Sequence, residues 1–188
     1  MKNRLPCYKG FLTNLTEEAH KLNCLGWSTN FTKEKGIVFD TAEATGISIT
    51  VDPNLVVVDI DSTRWELPWG CILPPTMKER SPRGWHLFYN TEIPLGTQIK
   101  KWPNIDLLGG LENYSSPQFY AQDKGKKDNR DFPPWERHVL CSPTPGYSLV
   151  YPDKFPNRKE ITQAPSWLVE AAKEGMAPEK AKPEVILF

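Results

Sequence analysis

Leu55-Val56-Val57-Val58-Asp59-Ile60-Asp61 is the most hydrophobic run in the chain, and it ends in two carboxylates one residue apart. Four consecutive apolar residues rich in β-branching predict a strand covered on both faces, hence a central strand of a sheet, rather than an alternating strand with one wet face. The period of two puts Asp59 and Asp61 on one side of that strand and turns Ile60 to the other, into the core. Just upstream, Asp52-Pro53-Asn54 is a turn tripeptide, and Gly46 to Val51 before it is again β-branched. The two arms read as a β-hairpin.

Working outward, Gly36 to Phe39 is a short apolar run, and Trp85 to Tyr89 is a third strand candidate behind the loop Ser81-Pro82-Arg83-Gly84. Ile105 to Leu108 is a short fourth before Gly109-Gly110, and Arg137 to Cys141 with Tyr147 to Tyr151 reads as a further hairpin across Ser142 to Gly146. Two helices flank these strands. Asn14 and Glu17 have capping-box spacing, Leu15, Ala19 and Leu22 recur at helical spacing, and Gly26 is a stop, so the first helix is expected near residues 15 to 25. Ser166 is expected to cap the second, whose apolar face is Leu168, Ala171 and Ala172 and which Gly175 ends. No internal repeat is visible.

Between them, residues 111 to 135 are polar and loop-like, and read as an inserted surface segment with a basic cluster, Lys124, Lys126, Lys127 and Arg130. Its Phe119, Tyr120, Phe132 and Trp135 suit either base stacking or anchoring to the body. Beyond Gly175 the chain is rich in Pro, Lys and Glu. The expected organisation is one catalytic domain over 1–175 and a tail or linker over 176–188.

The length of 188 residues suits one domain, and 39% apolar residues with seven Trp and eight Phe exclude a disordered chain. The 18 Pro predict many loops. Formal charge is zero, from 23 basic and 23 acidic residues, so any attraction for a polynucleotide is local. Local basic stretches are Lys2, Arg4 and Lys9, Lys78 to Arg83, the 124–130 cluster, and Lys154 to Lys159. Cys7, Cys24, Cys71 and Cys141 are widely spaced with no CxxC pair, so no zinc is expected and the thiols are read as reduced and mostly buried. The N-terminus lacks the apolar region of a signal peptide, and no stretch approaches the roughly 20 apolar residues of a membrane span. The expected compartment is the cytoplasm.

Three stretches carry chemistry. Asp59 and Asp61 offer hard oxygen ligands suited to Mg²⁺ or Mn²⁺, although an Asp-x-Asp pair is also common at a solvated strand end. Ser81-Pro82-Arg83-Gly84-Trp85-His86 is a tight basic loop feeding a strand in which His86 faces away from Trp85 and Leu87. It offers a hydroxyl, a guanidinium fork and a close-approach glycine, all phosphate-binding groups, while a lone His also serves structural roles. In Asn104-Ile105-Asp106-Leu107-Leu108-Gly109, an acid sits inside an apolar strand, where burial is costly unless it is paired, hydrogen-bonded or metal-bound, although Asp106 taken alone also suits an ordinary strand-end residue near a Gly turn.

Taken in order, these stretches resemble the archaeo-eukaryotic primase superfamily, specifically the bifunctional DNA primase/polymerase domains of phage and plasmid replication proteins. The apolar strand ending in Asp59-Ile60-Asp61 is similar to the first family motif. Ser81 to His86 is similar to the second, a serine-containing basic loop before a strand histidine, and Ile105-Asp106 to the third. Weaker similarity runs through Arg137 to Pro143 and Ala164 to Leu168, so coverage is about residues 36 to 175. Trp85 departs from the pattern, standing where the family commonly has a second glycine, and the 111–135 stretch is longer than usual.

The resemblance implies an α/β (α+β) fold: an RNA-recognition-motif-like sheet packed beside an N-terminal αβ unit, with the active site in the cleft between them. It implies template-directed nucleotidyl transfer with two divalent metals, Mg²⁺ or Mn²⁺, held by Asp59, Asp61 and Asp106, and nucleotide phosphates bound by His86, Ser81 and Arg83. Expected partners are a single-stranded DNA template and primer, NTPs or dNTPs, and no membrane; a helicase domain or subunit is a further partner left open. Two rivals use the same residues differently: a metal-dependent phosphoesterase or nuclease with water as nucleophile, and a non-catalytic single-stranded DNA binding module.

Overall fold

The computed structural model describes residues 8–33, 36–38, 40–68, 70–110 and 137–173. The cations Lys124, Lys126, Lys127 and Arg130, the rest of the 111–135 stretch, Lys2, Arg4, Cys7, Gly175 and the tail over 176–188 lie outside them.

The chain opens with α1 (Tyr8–Cys24), whose Leu15, Ala19 and Leu22 are buried. The helix starts well before residue 15, so Asn14 and Glu17 lie within it, both exposed, and their capping-box spacing caps nothing. Its end is as expected. Gly26 takes φ of +86°, the Gly26 amide donates to Asn23 O at 3.0 Å and the Trp27 amide to Leu22 O at 3.1 Å. This paired closure uses the left-handed residue that glycine adopts without steric cost.

Among the described residues ten strands follow: β1 (Thr29–Lys33), β2 (Gly36–Ile37), β3 (Gly46–Thr50), β4 (Leu55–Ile60), β5 (Met77–Arg80), β6 (Trp85–Asn90), β7 (Gln98–Trp102), β8 (Ile105–Gly109), β9 (His138–Cys141) and β10 (Ser148–Tyr151). They make two sheets, one ordered β2-β1-β3-β9 and one ordered β10-β5-β6-β4-β8-β7. Every strand pairing is antiparallel, and a lone parallel bridge joins Asn90 to Gln163. The last helix, α2 (Ser166–Lys173), makes the fold a mixed α+β one.

β4 is central as its composition requires. Leu55 to Val58 are fully buried, and β6 and β8 occupy its two edges. Leu55 and Val57 join one core with α1, Trp27, Ile47 and Phe88; Val56, Val58 and Ile60 join a second with Leu168 and Ala172 of α2.

Both expected hairpins prove to be crossovers. β3 pairs with β1 and β9, so Asp52-Pro53-Asn54 carries the chain from one sheet into the other instead of folding it back. Asp52 builds the turn: its Oδ1 accepts the Asn54 amide at 3.0 Å and its carbonyl the Leu55 amide at 3.0 Å. The Arg158 guanidinium then grips both carboxylate oxygens, at 3.0 and 3.2 Å. Likewise β9 joins β3 and β10 joins β5. Turn chemistry shows where a chain bends, not which edge receives the next strand.

Ser166 is the first residue of α2 and not its cap, because the Pro165 carbonyl accepts the Leu168 amide at 2.9 Å. Its Leu168, Ala171 and Ala172 are buried as expected. Strands β1, β5 and β7 carry too few apolar residues to be visible by composition. Of the described cysteines Cys141 alone is buried; Cys24 is exposed and Cys71 half-buried, contrary to the expected mostly buried set. Among the described residues, no helix is long and apolar enough to cross a membrane.

Candidate functional site

Strand register assembles the site. Glu79 of β5 stands opposite His86 of β6, His86 opposite Asp59 of β4, and Asp59 opposite Asp106 of β8. Register partners share a face, so four titratable side chains form one row across the sheet. Asp61 follows just past the end of β4, where its amide donates to Asn104 O at 2.9 Å.

The loop between β5 and β6 closes over this row. Ser81 Oγ accepts the Gly84 amide at 3.0 Å, and the Ser81 amide donates to Gly84 O at 3.0 Å. The Ser81 hydroxyl thus shapes the loop and keeps its own proton to donate. Gly84 is required there, since a Cβ would collide with the Ile60 carbonyl. The loop delivers Arg83 to Asp61, with Nη2 at 2.7 Å from Oδ1 and 2.9 Å from Oδ2. Arg83 is 67% exposed, so this pair adds little to stability and its guanidinium stays open to a ligand.

His86 Nε2 lies 3.4 Å from Asp59 Oδ1, within ion-pair reach but outside hydrogen-bond geometry. Among the described residues, Asp59 Oδ1 and His86 Nδ1 are both buried without a hydrogen-bond partner. Buried polar atoms are nearly always satisfied, so two orphans on neighbouring side chains mark a place built for something else to bind. The Tyr147 ring packs on the His86 ring, centroids 5.7 Å apart and planes at 37°.

Asp106 is placed differently. Its Oδ1 accepts the Lys100 amide at 2.6 Å, and Lys100 takes φ of 53° at the irregularity between β7 and β8 to present that amide. Burial raises the Asp106 carboxyl above the usual range, the Lys100 amide opposes this, and the charges of Asp59 and Asp61 raise it further. Burial likewise raises the Tyr147 phenol, with the Asp59 charge next in importance. Fully buried Glu79 is pushed up to about 8 by burial, partly offset by the Ser142 amide donating to Oε1 at 2.9 Å.

A cleft of about 370 Å³ opens over the row. One wall carries Asp59, Asp61, Ser81, Arg83 and His86; the other carries Thr32, Ser48 and His138 of the four-stranded sheet, with Tyr147 beside His86. Five of the six predicted site residues among those described thus meet in one cleft, and Asp106 lies one strand away, outside its lining. Among the described residues, no three His, Cys, Asp or Glu side chains converge into a ready-made metal centre.

Sequence reasoning missed Glu79, Tyr147, Ser48 and His138 as members of the site. None had a local signal: the strand that turns Glu79 inward beside Met77 is too polar to be visible by composition, and the others reach the cleft through the pairing of distant segments.

Fold and cleft define a class: an antiparallel α+β domain with a carboxylate and guanidinium site between two sheets. No family model matches the chain, no curated protein matches it, and no solved structure matches it.

Proposed function

We propose that this chain is the catalytic domain of a primase-polymerase of the archaeo-eukaryotic primase type, joining nucleotides to a 3′-hydroxyl on a single-stranded DNA template. On this reading the six-stranded sheet is the RNA-recognition-motif-like half, and α1 with the four-stranded sheet is the N-terminal αβ unit. The observation that carries it is Asp59. Its carboxylate sits in the cleft, mid-row, with a buried oxygen that has no hydrogen-bond partner among the described residues, beside the Asp61–Arg83 pair and His86.

That orphaned Asp59 oxygen suits a divalent ion, and Asp61, whose carboxylate faces Arg83 at the same cleft, would add a second hard ligand. Asp106, in register with Asp59 and using one oxygen for Lys100, would supply the third ligand with its other oxygen. Mg²⁺ or Mn²⁺ held by these carboxylates would neutralise triphosphate charge and favour attack by an alkoxide-like oxygen. Arg83 offers an exposed guanidinium fork to the β and γ phosphates, and the Ser81 hydroxyl lies behind it. His86, buttressed by Tyr147, donates to leaving pyrophosphate, whose growing charge Arg83 offsets. In the reaction a bond forms between the 3′-oxygen and the α-phosphorus, the bond to pyrophosphate breaks, and the hydroxyl proton passes to water. Template, primer and NTPs or dNTPs are the partners on this reading.

The test supplies single-stranded template, Mg²⁺ or Mn²⁺ and labelled NTPs or dNTPs, with and without primer, to the parent and to an Asp59→Ala/Asp61→Ala variant. The parent incorporates label. The variant loses incorporation yet melts no lower, since two repelling carboxylates have been removed. Incorporation by a well-folded double variant at more than a few per cent of the parent rate removes these residues from the site. Nucleotide release from the template without added nucleotide identifies a phosphoesterase instead.

A further inference from the structure

The wall facing the carboxylates holds a polar atom of its own without a partner. Ser48 is 1% exposed, at mid-strand in β3, lines the cleft, and its Oγ makes no hydrogen bond among the described residues. The neighbouring polar groups satisfy one another. Asn30, which is opposite Ser48 in register, passes it over: its Nδ2 donates to Thr50 Oγ1 at 2.8 Å and lies 3.3 Å from His138 Nδ1. A hydroxyl held dry, beside a network that excludes it, is placed for an external partner.

The chemistry of that partner follows from the wall. Among the described residues, Thr32, Ser48, His138 and Leu140 line it with no Lys or Arg, while Arg83, the guanidinium of the described lining, is on the opposite side. An anionic group is therefore drawn to Arg83, and the Ser48 side suits a neutral ring that both donates and accepts hydrogen bonds.

We infer that Ser48 is a hydrogen-bonding contact for the nucleoside part, sugar hydroxyl or base edge, of a nucleotide whose phosphates lie at Arg83 and His86. The inference rests on the nucleotide reading of the cleft and names the second half of that site. Two sources carry the same chemistry, a free nucleoside triphosphate and a nucleotide of the template strand.

Calorimetric titration of the full chain separates them, using ATP or dATP, inorganic tripolyphosphate and a single-stranded oligonucleotide, each with Mg²⁺, on the parent and on Ser48→Ala. The substitution removes an unsatisfied buried hydroxyl, so the variant melts at or above the parent temperature. Binding of the nucleoside triphosphate weakens by about tenfold, the loss of one buried hydrogen bond, while tripolyphosphate binds as before. Loss confined to the oligonucleotide assigns the contact to the template nucleotide. Unchanged binding of both nucleotide and oligonucleotide overturns the inference and leaves the nucleotide site standing, and so does an equal loss for nucleotide and tripolyphosphate. A parent that binds neither nucleotide nor tripolyphosphate overturns the reading of the cleft and the inference with it.

Discussion

Glu79 is a buried acid whose chemistry departs far from its ordinary state. Burial lifts its carboxyl from 4.5 to about 8, because the charged form would lose its hydration while the Ser142 amide compensates only in part. The sign of the consequence follows from proton counts. Between about 4.5 and about 8 the folded protein holds a proton on Glu79 that the unfolded chain has released, so this contribution to stability is full below the lower value and declines as pH rises to the upper. Glu79→Gln, neutral at every pH and able to accept from the same amide, is expected to melt higher than the parent at alkaline pH and to flatten the dependence of melting temperature on pH. Thermal melts of both proteins across that range check this. A parallel pair of curves would mean that Glu79 is ionised in the fold and held by a partner.

At the scale of elements, the decisive event is the crossover at Asp52-Pro53-Asn54. β4 is apolar on both faces and needs a strand on each edge, which β6 and β8 provide, leaving β3 to the other sheet. Arg158 fixes the resulting corner. Its guanidinium holds the Asp52 carboxylate, donates to Asn54 O at 3.1 Å and bonds the Asn90 side chain, while its amide donates to Leu25 O at 2.8 Å after α1. Arg158→Ala should destabilise the fold by about 1–2 kcal/mol in urea unfolding, modest because Asp52 is 43% exposed and rehydrates. Arg158→Lys, which keeps the charge without the fork, should recover less than half of that loss. An alanine variant as stable as the parent would show that the corner is set by strand pairing alone. The strands on either side of this corner were legible because β-branched runs declare themselves, whereas nothing in Gly46 to Val51 says which sheet it enters.

For the whole molecule, a net charge of zero removes any global pull on a polynucleotide, so affinity for template depends on local cations. Lys124, Lys126, Lys127 and Arg130 are the densest such group in the sequence. Replacing all four by Gln is expected to weaken binding of a single-stranded oligonucleotide and to reduce the slope of log affinity against log salt by as much as ~3, the value for four lost phosphate contacts. Binding of a nucleoside triphosphate should be nearly unchanged. Parent affinity and parent slope in the quadruple variant would remove this segment from the polynucleotide path.

Faces and ends were determined by the sequence itself: β4 as a doubly covered strand, Asp59 and His86 turned away from their apolar neighbours, Leu15, Ala19 and Leu22 inward on α1, Gly26 as its stop, and the apolar face of α2. These depend on periodicity and backbone sterics, which act between residues close in the chain. Tertiary structure alone decided that β3 and β4 belong to different sheets, that Glu79, His86, Asp59 and Asp106 stand in one row, and that Ser48 faces Asp59 and His86 across a cleft with Tyr147 packed on the His86 ring. Those facts depend on which strand edges pair, and an edge offers the same amide and carbonyl groups to every candidate. The choice is made by burial summed over the whole core, a quantity that no local stretch of the chain contains.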